Sequence, residues 1–152
     1  MKNWYTHWDV LLASPTEPLP AAKRRYQLTR MWGGLRNIET APMPSVDDWS
    51  TVSDAINLME TLVEMDLMQD PEDLVGDAIA AMAKAGNRSI DGRPIRLDGG
   101  DIKIVRGLLE DYSHALETIP ARVMVQAHRI TEKRIQEILA KKKIAKDVVI
   151  NE

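Results

Sequence analysis

Residues 98–120, DGGDIKIVRGLLEDYSHALETIP, decide the fold class. Asp98 and Asp101 have N-cap spacing, so a helix is predicted over 99–119. Within it Val105, Leu108, Leu109, Tyr112, Leu116 and Ile119 recur at three- and four-residue steps, which is one face of an α-helix. Pro120 suits the first turn of the helix that follows, where Met124, Ala127, Thr131, Ile135 and Ile138 form the apolar stripe. From about Lys141 the sequence KKKIAKDVVINE loses that period and is expected to fray.

Working back toward the N-terminus, the helical period recurs. GNRSIDGRPIRLDGG (86–100) is the only long non-helical stretch, with Asp91-Gly92 placed for a tight turn or small hairpin and Pro94 against a regular one. Before it, Asp70 reads as an N-cap with Pro71 at the first helical position, and Gly86 as a left-handed C-terminal cap. Ser45 with Asp48 resembles a capping box and opens a helix to about Met68, with Trp49, Val52, Ile56, Met59 and Val63 inward. Another helix is expected over 20–39, with Leu28, Met31, Trp32, Leu35 and Ile38 on one face. SPTEPLP (14–20) forces an extended connection, and Trp4, Trp8, Leu11 and Leu12 suggest a short amphipathic helix over 3–12.

The sequence therefore predicts an all-α, single-domain helical bundle of about five helices with one irregular loop at 86–100. Residues 1–19 read as an N-terminal arm, 20–140 as the bundle and 141–152 as a frayed basic tail. Trp49, Ile56, Leu109 and Ile135 are expected in the core.

Composition narrows the function classes. A chain of 152 residues with 44% hydrophobic side chains can bury a real core, so disorder is not its main state. The absence of cysteine excludes disulfides, thiol catalysis and thiolate metal sites. No apolar run approaches the roughly 20 residues of a membrane span, and MKNWYTHWDV does not read as a signal peptide, so a cytoplasmic protein is expected.

Charge is strongly segregated. Residues 1–36 carry +4, residues 37–83 carry −11 with no Lys or Arg, and residues 84–152 carry +4. Such blocks either steer a charged partner or attract one another within the fold, and in one domain of this size the second reading is preferred. Glu60 and Glu64 repel each other mildly at i, i+4, and basic side chains of the 20–39 helix are expected to neutralise them.

Catalytic signatures are missing: HExxH, GxSxG, the P-loop and GxGxxG do not occur. Glu110 with His114, and His128 with Glu132, place four ligand-type groups on successive helices. The helical wheel separates them, because Glu110 and His114 lie about 140° and 180° from their apolar axis whereas His128 lies about 40° from its own. No metal site, cofactor or catalytic residue is expected, and His128 reads as a hydrogen-bonded boundary residue.

Two helices are basic. In the 20–39 helix Lys23, Arg24, Arg25, Arg30 and Arg36 scatter around the wheel, and Gly33-Gly34 falls on the polar side, where it either weakens the helix or admits another backbone. In the last helix Arg122, Arg129 and Lys133 cluster within about 40°, opposite the apolar stripe, with Arg134 and Lys141 to Lys143 adding charge. Those residues are the candidate nucleic-acid contacts, although a solvated basic face is the commoner source of such a strip. Trp4, Tyr5 and Trp8 are the candidate protein interface, since exposed aromatics anchor partners, yet an arm folded across its own core would look identical.

The blocks LPAAKRRYQLTRMWGGLRNIETAP, DDWSTVSDAINLMETLVEM and LDGGDIKIVRGLLEDYSHALETIPAR resemble an uncharacterised family of small all-helical proteins encoded by bacteriophages and other bacterial mobile elements. The resemblance covers most of residues 8–138 and brings no catalytic residues with it. It implies a non-enzymatic accessory factor that binds a host or phage protein. The alternative is a DNA- or RNA-binding regulator using the basic face of the last helix.

Overall fold

The computed structural model describes the backbone of residues 5–150 and the side chains of residues 5–143. The described residues are all-α, with six helices: α1 (His7–Leu12), α2 (Ala21–Thr40), α3 (Val46–Glu64), α4 (Leu74–Asn87), α5 (Gly99–Thr118) and α6 (Ala121–Ile150). One 3-10 turn, Arg88–Asp91, follows α4, and no strand occurs among the described residues. The count exceeds the expected five by one, and the short helix expected over 3–12 is present as α1.

α3 is the central helix, touching α2, α4, α5 and α6. Its buried residues run almost all the way round, from Val52, Ala55, Ile56 and Met59 to Thr51, Leu58 and Leu62. A helix so enclosed must be capped well. Ser45 Oγ accepts from the Asp48 N–H at 3.0 Å while Asp48 Oδ2 accepts from the Ser45 N–H at 2.9 Å, the expected box. At its other end the helix stops at Glu64, not Met68. Asp66 takes a left-handed conformation (φ 60°), and the Leu67 N–H returns to the Leu62 carbonyl at 2.9 Å, a Schellman closure with Asp in the usual glycine place.

α4 likewise starts late. Asp73, left-handed at φ 53°, occupies the N-cap position, and the Asp70 carboxylate reaches past it to accept from the Leu74 and Val75 N–H groups at 2.8 and 3.0 Å. Asp70 thus caps the helix from three residues before its cap position. Gly86 is not a C-terminal cap. It lies inside α4, where a Cβ would meet the Trp49 indole at 2.9 Å, and the indole N–H donates to the Met82 carbonyl at 2.7 Å. Gly34 has the same use across α2 and α3, since a Cβ there would stand 2.9 Å from the Asp48 carbonyl oxygen. Gly34 is buried, not on a polar face.

The loop after α4 makes a turn without a hairpin, with Gly92 at φ 73° and Ile95 and Leu97 buried. Arg96 holds it against the end of α2, donating to the Ile38 carbonyl at 2.8 Å and to the Ala41 carbonyl. Arg88 Nε donates to the Pro94 carbonyl at 2.8 Å. Both contacts satisfy carbonyls that helix and loop ends leave open.

Ile56 and Leu109 are fully buried as expected, whereas Trp49 and Ile135 are half-buried. α6 continues to Ile150, through the segment where fraying was expected. No described helix is long and apolar enough to cross a membrane.

Candidate functional site

The N-terminal arm answers one question the sequence left open: it folds onto its own bundle. The connector supplies carbonyls to the start of α6, where Glu17 O accepts from the Ala121 N–H at 2.8 Å and Ser14 O from the Arg122 N–H at 2.9 Å. These are two of the donors a helix N-terminus leaves unmatched. Ala13 and Leu19 are buried on either side of them.

Tyr5 is the anchor of the arm and is buried, which corrects its assignment to a protein interface. Its ring meets His128 edge-on, with centroids 4.7 Å apart, and Lys23 Nζ lies 5.4 Å from its centroid. Behind it runs a buried polar chain: Tyr112 O–H donates to Gln27 Oε1, and Gln27 Nε2 donates to Tyr5 Oη, each at 3.4 Å. Burial raises both phenols, Tyr5 to about 12, and pushes His128 down to about 3, so the imidazole stays neutral at ordinary pH. Trp4 lies outside the described residues.

With Tyr5 turned inward, α1 presents its other face outward. Thr6 and Asp9 form a capping box, and Asp9 also pairs with Lys23 at 3.1 Å. The backbone N–H bond from Thr6 is the largest influence holding the Asp9 carboxyl below its usual range. Trp8, Leu11 and Leu12, at i, i+3 and i+4, are then 68%, 58% and 77% exposed. Three large apolar side chains on one face of a docked helix form a compact patch of the kind that marks interaction sites.

The basic face of α6 divides differently from the sequence reading. Arg122, Arg129 and Lys133 are all exposed, as are Lys141 to Lys143. Arg134 is not part of the strip. It turns toward α3, pairing with Glu60 at 2.9 Å and Glu64 at 2.8 Å and donating to the Asn57 carbonyl and Thr61 Oγ1 at 3.1 and 3.0 Å. Thr61 Oγ1 in turn meets Thr131 Oγ1 at 2.5 Å in the core. The two glutamates are therefore neutralised from α6 and not from α2. The signal was present in the sequence: Arg134 precedes the core-facing Ile135, and Thr131 interrupts an otherwise apolar stripe.

Other acids of the negative block are also answered within the chain, Asp47 by Arg30 at 3.2 Å and Glu39 by Arg106. Glu110 and His114 are exposed while His128 is buried, so these groups do not converge. Among the described residues no group of three or more metal-ligand side chains is assembled.

Several depressions mark the surface of the described residues. One of about 710 Å³ lies between α4 and the start of α5, where Lys84 pairs with Asp98 and Arg93 with Asp91. A smaller one, about 330 Å³, sits against Trp49, Val46 and Ile95. Another, about 520 Å³, runs between α3 and α6, with Arg30 of α2 at its edge. Comparison with protein-family models, curated proteins and solved structures finds no match.

Proposed function

We propose that this chain is a non-enzymatic accessory protein of a bacteriophage or other mobile element that acts by binding a host or phage protein, with α1 as the presented face. One observation carries the reading: Trp8, Leu11 and Leu12 stand exposed on a helix that is itself held in place by Tyr5, Ala13 and the connector carbonyls. A helix fixed in advance loses little freedom when a partner covers it, so its apolar side chains act as preformed anchors. Replacing the three with Ser should abolish capture of the bound protein from a bacterial lysate. The unfolding midpoint should hold, since the side chains are exposed in the free chain. Undiminished capture by that variant would refute the reading.

A second reading, nucleic-acid binding, draws on the exposed Arg122, Arg129 and Lys133 along one rigid helix. Phosphate contacts give a steep salt dependence and little sequence preference. The withdrawal of Arg134 into the Glu60–Glu64 pair shortens the strip and weakens this alternative.

A further inference from the structure

The inward stripe of α6 outruns the contacts that bury it. Met124, Ala127, His128 and Thr131 are buried, Ile135 is half-buried, and Ile138 and Leu139 are 46% and 54% exposed. α6 runs antiparallel to α3: Thr131 meets Thr61, Arg134 meets Asn57, and Ile135 and Leu139 face the Ser50–Asp54 turn across the groove of about 520 Å³. One wall of that groove is therefore apolar and the other polar. The Ser53 hydroxyl is buried in the polar wall without a hydrogen-bond partner among the described residues.

We propose that the groove receives α6 of a second copy, antiparallel to the first, in a two-fold symmetric dimer. The surface is self-complementary in the way such a dimer requires. With the axis between Ile138 and Leu139, the partner's Leu139 falls beside Ile138 and the partner's Lys142 beside Ile135.

Charge favours this register. Of the five acids of α3, Asp47 and Asp54 line the groove, Asp47 already paired with Arg30 beside it, whereas residues 140–146 carry four lysines and no acid. On the wheel Lys142 lies within about 20° of the Ile135–Ile138–Leu139 axis, so the stripe turns from apolar to cationic beyond Leu139. The antiparallel arrangement brings that lysine back to the level of Asp54 and Asn57. Its methylenes then cover Ile135 while its ammonium reaches Asp54 on the polar wall. A helix seated in the groove touches α3 and α6 at once, which is how a few turns approach the roughly 800 Å² per copy of a stable interface.

Sedimentation equilibrium of the full chain tests this. Wild type should be dimeric at tens of micromolar, and Leu139→Lys should dissociate at least about tenfold more readily, with its helical circular dichroism unchanged. Lys142→Asp and Asp54→Lys should each weaken the dimer, and the double variant should restore it. A wild type monomeric up to about 100 µM, a dimer surviving Leu139→Lys, or a charge swap without rescue would each overturn the proposal.

Discussion

Replacing Arg134 with Met removes four contacts at one stroke while keeping an unbranched apolar stem of similar length. The guanidinium donates to Asn57 O and Thr61 Oγ1 and pairs with Glu60 and Glu64, all within 2.8–3.1 Å. Hydrogen bonds from a charged donor contribute about 1.5–3 kcal/mol each when dry. Here the Arg134 side chain is 24% exposed, so water replaces part of that. The carboxylates are 35% and 58% exposed, which limits each ion pair to well under about 1 kcal/mol. Repulsion between Glu60 and Glu64 at i, i+4 returns once the cation has gone, adding a few tenths of a kcal/mol. The total is about 2–3 kcal/mol, or a fall in melting temperature of roughly 4–12 °C for a chain of this size. Urea unfolding at low and high salt separates the parts: salt should erase the ion-pair share and spare the hydrogen bonds. A loss below about 0.5 kcal/mol would refute the assignment of Arg134 to the α3–α6 seam and return it to the outward strip.

Gly86→Ala should destabilise by about 1–3 kcal/mol although Ala is the better helix former, because its Cβ would meet the Trp49 indole at 2.9 Å; a neutral or stabilising result in urea unfolding would show that the indole yields. Stability should also fall in mild acid through His128. The folded imidazole resists protonation down to about pH 3, whereas the unfolded one takes a proton near 6.5, so its contribution is complete above 6.5 and is lost as pH falls from there toward 3. The share at pH 5 is about 2 kcal/mol, read as the part of the pH 7.5-to-5 loss that His128→Leu lacks.

The helical faces were legible because burial enforces them: Val105, Leu108, Leu109, Tyr112 and Leu116 recur at helical spacing and are all buried. Two caps were legible for the same local reason, since Ser45 with Asp48 and Asp98 with Asp101 bond within a single turn. The ends near 64 and 74 were not. Asp66 and Asp73 adopt left-handed backbone, which composition assigns first to glycine, and the Asp70 carboxylate reaches across Asp73 to α4. Gly86 misled in the opposite sense, because a glycine near a helix end resembles a cap until Trp49 is placed against it. Tyr5 and Arg134 were grouped with outward neighbours because residue type and position along the chain show only that an aromatic or a cation is present. Neither shows which neighbour waits for the side chain, and His128 and the Glu60–Glu64 pair were three-dimensional facts.

The segregated charge now has a division of labour. Arg30, Arg106 and Arg134, from α2, α5 and α6, each answer acid of the 37–83 block, which ties three helices to the negative segment at different levels. The cations left outward sit mainly on α6, and that helix also separates the two proposed surfaces. Its N-terminus receives the arm through the Ala121 and Arg122 N–H groups, whereas the self-association stripe is centred on Ile138 and Leu139. At about 1.5 Å per residue these lie roughly 24 Å apart along one rigid rod. A dimer formed at the distal half would leave both α1 faces uncovered and present them in pairs. Partner capture and self-association are then separable by mutation, and a dimer would strengthen capture by a multivalent partner without any new contact.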